Sequence, residues 1–500
     1  MQMVELSRRG WLAAGLGLGL TGPAWATEAP QFLSATALQN DADIFQRAYT
    51  ALHPGLLRYN TAAEMRARFA GLRQAFAAPQ SMGEAYLNLT RVTAAVRCGH
   101  SFLNPSNQQG AALALIGERA TGLPFRFCWL EGRMIVLADS PAHPALKRGA
   151  EVETIGGISA ARILAELAPL AAVDGHNDAK RLRLLELRGE ENWAMFDTLF
   201  ALAFPGAVQG GTARLGVSPP HGGATRTIEV ALVTHAARTT GLEQGVETSD
   251  SAPAWRFEPR DRGVVWLTMR TWALYETKWD WEAALNADLD ALANDPSRTL
   301  VVDLRGNGGG LDVGDVILSR LVDRDTPKSG WVRRVRYRRV PDELVPYLKT
   351  WDRSFRDWGD QAAGPDGEGF YRLTRRGDDP AGEMIKAAGK RFTGKLIVLV
   401  DAANSSATFQ FAQAVKLNGL GAVIGQTTGG NRRGINGGGF FFLRLPGSGL
   451  EIDLPLIGTF PTTPQPDAGI VPDRTVTFTR ADLIAGRDPF VEAVLGSLPS

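Results

Sequence analysis

Two segments in the C-terminal half of this 500-residue chain repeat one order: an apolar run suited to a buried strand, a knot of small residues, then a helical pattern. The first, "TLVVDLRGNGGG" (299–310), leads into "DVGDVILSRLVD"; the second, "KLIVLVDAANSSATFQFAQAVKLNG" (395–419), is followed by the strand-like "GAVIG". Strands without polar alternation are buried on both faces, and strands separated by helices run parallel. This repetition calls for an α/β domain with a largely parallel sheet, in which sites form where the strands end. The loops after Val302-Asp303 and Val400-Asp401 are therefore where chemistry is expected.

The glycine-rich loop 306–310 lacks the GK[ST] of a phosphate-binding loop, and the lone glycine spacing of "GGGLDVG" is too little for a dinucleotide site. Its glycines instead allow backbone N–H groups to turn toward an anion that forms during reaction. In the second loop Ser405 and Ser406 stand at a strand-to-helix junction, where helix N–H groups and dipole favour negative charge. One serine can be the helix N-cap and one a nucleophile. A serine nucleophile needs a base, and all six histidines (His53, His100, His143, His176, His221, His235) precede this domain. His100, in the helix-ending turn "RCGHSFL" among small residues, has room to act; His53 and His143 read as ordinary loop residues.

The remainder divides by changes of period. Residues 1–26 read as an export signal: Arg8-Arg9, a short apolar run, then Ala24-Trp25-Ala26 as a cleavage site. The stretch from Ser7 to Leu12 resembles a twin-arginine signal, so a bacterial periplasmic or secreted location is expected, with no stable membrane span after cleavage. Residues 36–105 carry three amphipathic helical patterns, ended near Gly99 and Pro105. Residues 110–238 switch to short strands, "ALALIG" and then a hairpin around Glu131-Gly132, with a helical insertion at about 160–204. A polar linker at 239–254 precedes the α/β domain, 255–490. The 54 basic and 53 acidic residues cancel, which leaves no field to draw nucleic acid. Cys98 and Cys128 are too few for a disulfide framework or a cysteine zinc site, no metal is implied, and their pairing is left open.

Taken together, "LVVDLRGNGGG", "NSSATFQFAQAVKLNGLGAVIGQTTGG" and "GIVPD" resemble, in order and spacing, the tail-specific (C-terminal processing) peptidases and the tricorn protease core. "RCGHSFL" resembles the N-terminal part of the tricorn-like branch, and Arg148 to Val152 with Ile155-Gly156-Gly157 resemble a PDZ module, here interrupted by the insertion. The resemblance implies an exported serine peptidase acting on peptide or protein substrates without a cofactor, with assembly into oligomers left open. It places the nucleophile at Ser406 and an oxyanion hole at Gly309 and Ala407. Where tail-specific peptidases have their lysine base this chain has Asn431, so the resemblance assigns the base to His100, with Asp467 as its acidic partner and Ser101 as a weaker one. Asp303 and Arg305 are expected to brace strand ends. The alternative is a catalytically weak or inactive relative that binds hydrophobic ligands or peptides, with "GINGGGFFFLRLPGSGLEIDLPLIG" either lining a groove or forming a hairpin packed on the core.

Overall fold

A computed structural model describes residues 32–189, 193–242, 253–275, 277–374 and 383–498; the export signal lies outside them. The repeated pattern builds a six-stranded sheet in the order Arg474–Thr475, Ala422–Gly425, Lys395–Val400, Thr299–Asp303, Val264–Thr268, Phe257–Arg260. Every neighbouring pair is parallel except the edge pair Phe257–Arg260 and Val264–Thr268. Alternate side chains feed opposite layers, as strand geometry requires. Leu300, Val302, Val398 and Val400 meet the helices Trp281–Leu292, Val313–Ser319 and Ser406–Leu417 on one face. On the other face, Val301, Ile397 and Leu399 meet Pro489–Leu495.

The expectation of an α/β domain at 255–490 with a largely parallel sheet needs correction, because parallel pairing is confined to this one sheet and the sheets are mostly antiparallel. The same C-terminal segment also forms an antiparallel sheet containing Trp331–Val335, Asn436–Arg444 and Glu451–Pro461. The apolar glycine-rich run is the hairpin at its centre, and its alternating residues Phe441, Leu443, Ile452 and Leu454 are buried. They do not close a core alone. They share one hydrophobic cluster with Leu38, Phe45 and Tyr49 of helix Ala35–Leu52 and with Leu89 and Val92 of helix Met82–Ala95. The N-terminal helices are thereby fastened onto the C-terminal segment.

Helices Ala62–Ala75 and Met82–Ala95 begin with capping boxes, Thr61 with Glu64 and Ser81 with Glu84. The last of them stops before Gly99: Arg97 already has φ 60. The strand expected at "ALALIG" is helical, Gly110–Leu113 running into a wide turn Ala114–Glu118. A short apolar run fits either state, and here Ala112 and Ile116 are drawn into the N-terminal cluster.

Between the two lies an antiparallel sheet, Phe127–Leu130, Arg133–Val136, Glu151–Ile155, Thr212–Ser218 and Arg226–Ala231. Its first hairpin turns at Glu131 and Gly132, with φ 54 and 75, the positive angles that a two-residue turn needs. Inserted helices Ala160–Leu167 and Met195–Ala203 pack on this sheet, whereas the short helix Asp178–Leu184 between them buries no residue fully and reaches toward the parallel sheet. Both cysteines are buried free thiols in different clusters. Among the described residues no helix is long and apolar enough to cross a membrane.

Candidate active site

Parallel register sets Leu399 opposite Asp303, so the chain leaves both strands side by side and the two loops touch. Asn404 joins them. Its Nδ2 donates to Leu304 O at 2.6 Å and Asn307 O at 2.9 Å, while its Oδ1 accepts from Asp401 N at 2.7 Å. Its carbonyl accepts from Gly429 N and Gly430 N, which draws in the third loop, after Ala422–Gly425. Asn404 is fully buried, so each of these bonds replaces water that cannot reach it. At the strand end Asp303 is bound by Arg305 at 2.7 Å and by Arg270 at 3.4 Å. Burial alone would raise the Asp303 carboxyl, but these guanidinium groups hold it below the usual carboxylate range.

The two serines have different settings. Ser405 occupies the N-cap position of helix Ser406–Leu417, but its side chain makes no cap bond; its Oγ donates to Gly308 O at 3.1 Å. Ser406 has φ 51, a left-handed conformation that costs a serine about 1 kcal/mol or more and that recurs where a turn must hold a nucleophile out of the backbone. Among the described residues Ser406 Oγ has no hydrogen-bond partner. Gly309 faces it with φ 105, and a Cβ there would lie 2.8 Å from Ser405 O, 2.8 Å from Ser406 Cβ and 3.1 Å from Ala407 N. Only glycine leaves that space open. The N–H of Gly309 itself donates to Asn307 Oδ1 at 2.9 Å.

His100 stands in the turn after the third N-terminal helix. Neighbours on both sides of it fix its place: Cys98 Sγ accepts from Asn436 Nδ2 at 3.3 Å, and Phe102 O accepts from Asp453 N at 3.0 Å. Its ring lies against Phe440, centroids 6.0 Å apart, and a Cβ added to Gly437 would be 4.0 Å from its Nε2. Its Nδ1 is buried without a partner. Asp467 does not supply one. The Asp467 carboxylate pairs with His176 Nδ1 at 2.6 Å and accepts from Asn431 Nδ2 at 2.7 Å and His176 N at 3.1 Å. Burial would raise this carboxyl, and those bonds instead hold it low. Ser101 is likewise taken by other groups, His53 Nε2 at 2.9 Å and Tyr49 OH at 3.2 Å. His53, read from sequence as a loop residue, is buried deeply enough to be pushed down to about 3, with Arg58 adding to the effect.

The carboxylate beside His100 is Asp174, which the sequence reading missed. Its Oδ1 accepts from Gly99 N at 2.9 Å, and a Cβ on Gly99 would be 3.0 Å from its Oδ2. Burial raises Asp174, and His100 is the first of the charges that oppose this; burial lowers His100, with Asp174 opposing and Lys180 reinforcing. Lys180 was missed as well. Its Nζ donates to Ala403 O at 2.7 Å and to Ser405 Oγ at 3.4 Å. Asn177 holds this segment in place through Thr428 O and Gly430 O, at 2.8 and 2.9 Å. Residues 174–180, "DGHNDAK", thus reach Gly99, Asp467, the loop at 428–430 and the serine turn. The signal in the sequence was the density of polar residues inside an otherwise helical, apolar stretch. Asn431, at the lysine position of the resemblance, donates to Asp174 O at 3.2 Å and fastens this loop. Among the described residues no group of three or more His, Cys, Asp or Glu side chains could hold a metal ion.

Residues 264–438 match the sequence profile of peptidase family S41, a span that contains Gly309, Ser406 and Ala407 but neither His100 nor Asp467. The fold is similar to that of mature CPAF complexed with lactacystin, with a TM-score of 0.63 at 14% identity over 92% of this chain and 97% of that one. A second structure of mature CPAF gives a TM-score of 0.60 at 14% identity, over 92% and 96%. No curated relative matches the chain in sequence.

Proposed function

We propose, from the premise that residues 264–438 are a serine-type peptidase domain of family S41, that this chain hydrolyses peptide bonds through an acyl-enzyme with Ser406 as nucleophile and His100 as base. The observation that carries the reading is the conformation of Ser406: φ 51 at a helix start, hydroxyl uncommitted, facing a glycine no other residue could replace without a clash. His100 takes the hydroxyl proton as Oγ attacks the carbonyl carbon and gives it to the leaving amine; a water molecule then repeats the sequence on the acyl-enzyme. Ala407 N–H at the helix start donates to the tetrahedral oxyanion, and Gly309 N–H supplies a second donor on turning from Asn307 Oδ1. Asp174 replaces Asp467 as the carboxylate that favours the imidazolium form, because it is the acidic group acting on His100.

Substrates are peptides or proteins. Export to the periplasm or medium is proposed on residues 1–26. A PDZ-like role for the sheet Phe127–Ala231 in peptide capture is supported by its antiparallel order and by helix Ala160–Leu167 packed against it. The test is labelling of the mature protein by a fluorophosphonate. The wild type and Ser405→Ala should label, and Ser406→Ala should not. A folded wild type that does not label would favour the binding protein instead.

A further inference from the structure

The proposed mechanism employs His100 and Asp174, but the titratable side chain that touches the serine turn is a third one, with which both interact electrostatically. Lys180 is the third. Its ammonium bonds Ala403 O and Ser405 Oγ, both neutral oxygens, and among the described residues it has no carboxylate in hydrogen-bond contact. Its stem is held as firmly as its head: a Cβ on Gly429 would lie 2.8 Å from Lys180 Cδ. Its helix is anchored one turn earlier by Asn177, whose Oδ1 also accepts from Lys180 N at 3.2 Å. A largely buried ammonium without a carboxylate costs several kcal/mol, and such groups cluster where their charge acts on a neighbour.

We propose that Lys180 is a positioning residue of this site, clamping the turn from Ala403 to Ser405 that presents Ser406 and directing its positive charge at His100. The inference rests on His100 being the base. The charged groups facing His100 are Asp174 and Lys180; those facing Lys180 are Arg183 on its own helix, Asp401 at the strand end, and Asp174. Burial, with Arg183 adding to it, pushes Lys180 down to about 8, so it is cationic at neutral pH and below. A cation there disfavours imidazolium, adding to the burial that already holds His100 below its ordinary value. His100 therefore stays able to accept a proton at lower pH than a free imidazole would.

The test is the pH dependence of the inactivation rate with a fluorophosphonate, which needs no knowledge of the substrate. In Lys180→Met the acid limb should move to higher pH, so that on that limb, below the wild-type midpoint, the variant reacts about tenfold slower than wild type for each unit of displacement and recovers above the new midpoint. Lys180→Arg, which keeps the charge but not the fit, should react more slowly at every pH with the midpoint unmoved. Should Lys180→Met not fold, Lys180→Gln carries the same test, since it keeps a donor for Ala403 O without charge. An acid limb unmoved in the uncharged variant overturns the inference. His100→Ala separates the two claims: if it reacts at the wild-type rate, the base assignment itself has failed; if it is silent while Lys180→Met keeps the wild-type limb, only the role of Lys180 falls.

Discussion

The side of the site that carries the proposed nucleophile and the side that carries the proposed base are held by opposite kinds of structure. Gly309 sits on the loop after one strand and Ser406 and Ala407 on the helix start after the adjacent parallel strand, and Asn404 and Asn307 stitch the two loops together within one layer. His100, Asp174 and Lys180 come from segments with no strand pairing to that sheet, carried in by the packing of the N-terminal helices and by a loop of the inserted region. One side is fixed by backbone geometry, the other by side-chain contacts between distant segments. Changes on the first side should therefore alter chemistry with little effect on folding, and changes on the second should alter both.

The largest expected effects do not distinguish the sides. Ser406→Ala and His100→Ala should each lower turnover by roughly 10⁴–10⁶, because a nucleophile and its base act as a unit. Thermal unfolding should separate them, with Ser406→Ala at or near the wild-type Tm, since it removes a hydroxyl that has no hydrogen-bond partner among the described residues and leaves the backbone strain unchanged. Next comes the carboxylate: Asp174→Asn should cost about 10²–10⁴ in kcat with geometry retained. Asp467→Asn should cost less than about tenfold, with a stability loss on the order of 1–3 kcal/mol from its bonds to His176 and Asn431. The reverse ranking in a steady-state assay would return the acidic role to Asp467.

Paired glycine substitutions sharpen the contrast. Gly309→Ala meets Ser405 O and Ser406 Cβ at 2.8 Å in a left-handed backbone, and activity should fall by about 10²–10³, as when an oxyanion donor is lost. Gly99→Ala meets the Asp174 carboxylate at 3.0 Å, a side-chain atom that can give way, and about a tenfold loss is expected from misplacing Asp174. Equal losses would erase the distinction between the sides. The smallest effect concerns the brace under His100. His53 is held near 3 when folded and returns to about 6.5 on unfolding, so the unfolded chain binds the proton first as pH falls. Stability is therefore full above about pH 6.5 and is lost on acidification toward pH 3, with a slope of at most about 1.4 kcal/mol per pH unit from this residue. His53→Gln should flatten that slope in urea titrations across pH 4–6.5.

The same contrast explains what could be read in advance. Strand-knot-helix order exposes the two loops and the serine pair because the information is contiguous, and the capping boxes at Thr61 and Ser81 mark helix starts for the same reason. Lys180 and Ala403 are 223 positions apart, and no period or spacing links them. Asp467 was placed by register against a motif, and register cannot show that His176 arrives from the insertion to occupy it. The hairpin Asn436–Arg444 with Glu451–Pro461 was legible as a hairpin, but its packing partners, helices Ala35–Leu52 and Met82–Ala95, were not.

The shared cluster beneath His100 bears on how such a chain is made. The turn that holds His100 is secured by Asp453, whose N–H bonds Phe102 O and whose carbonyl accepts from Tyr49 OH at 3.1 Å. A nascent chain that has reached only residue 445 already contains His100, Asp174, Lys180 and the whole helix Ser406–Leu417, yet lacks the strand Glu451–Pro461 that seats the histidine. During synthesis the helix that begins at Ser406 is thus made before the strand that seats His100, and if His100 is the base proposed above, the last strand of the antiparallel sheet is what would switch the site on.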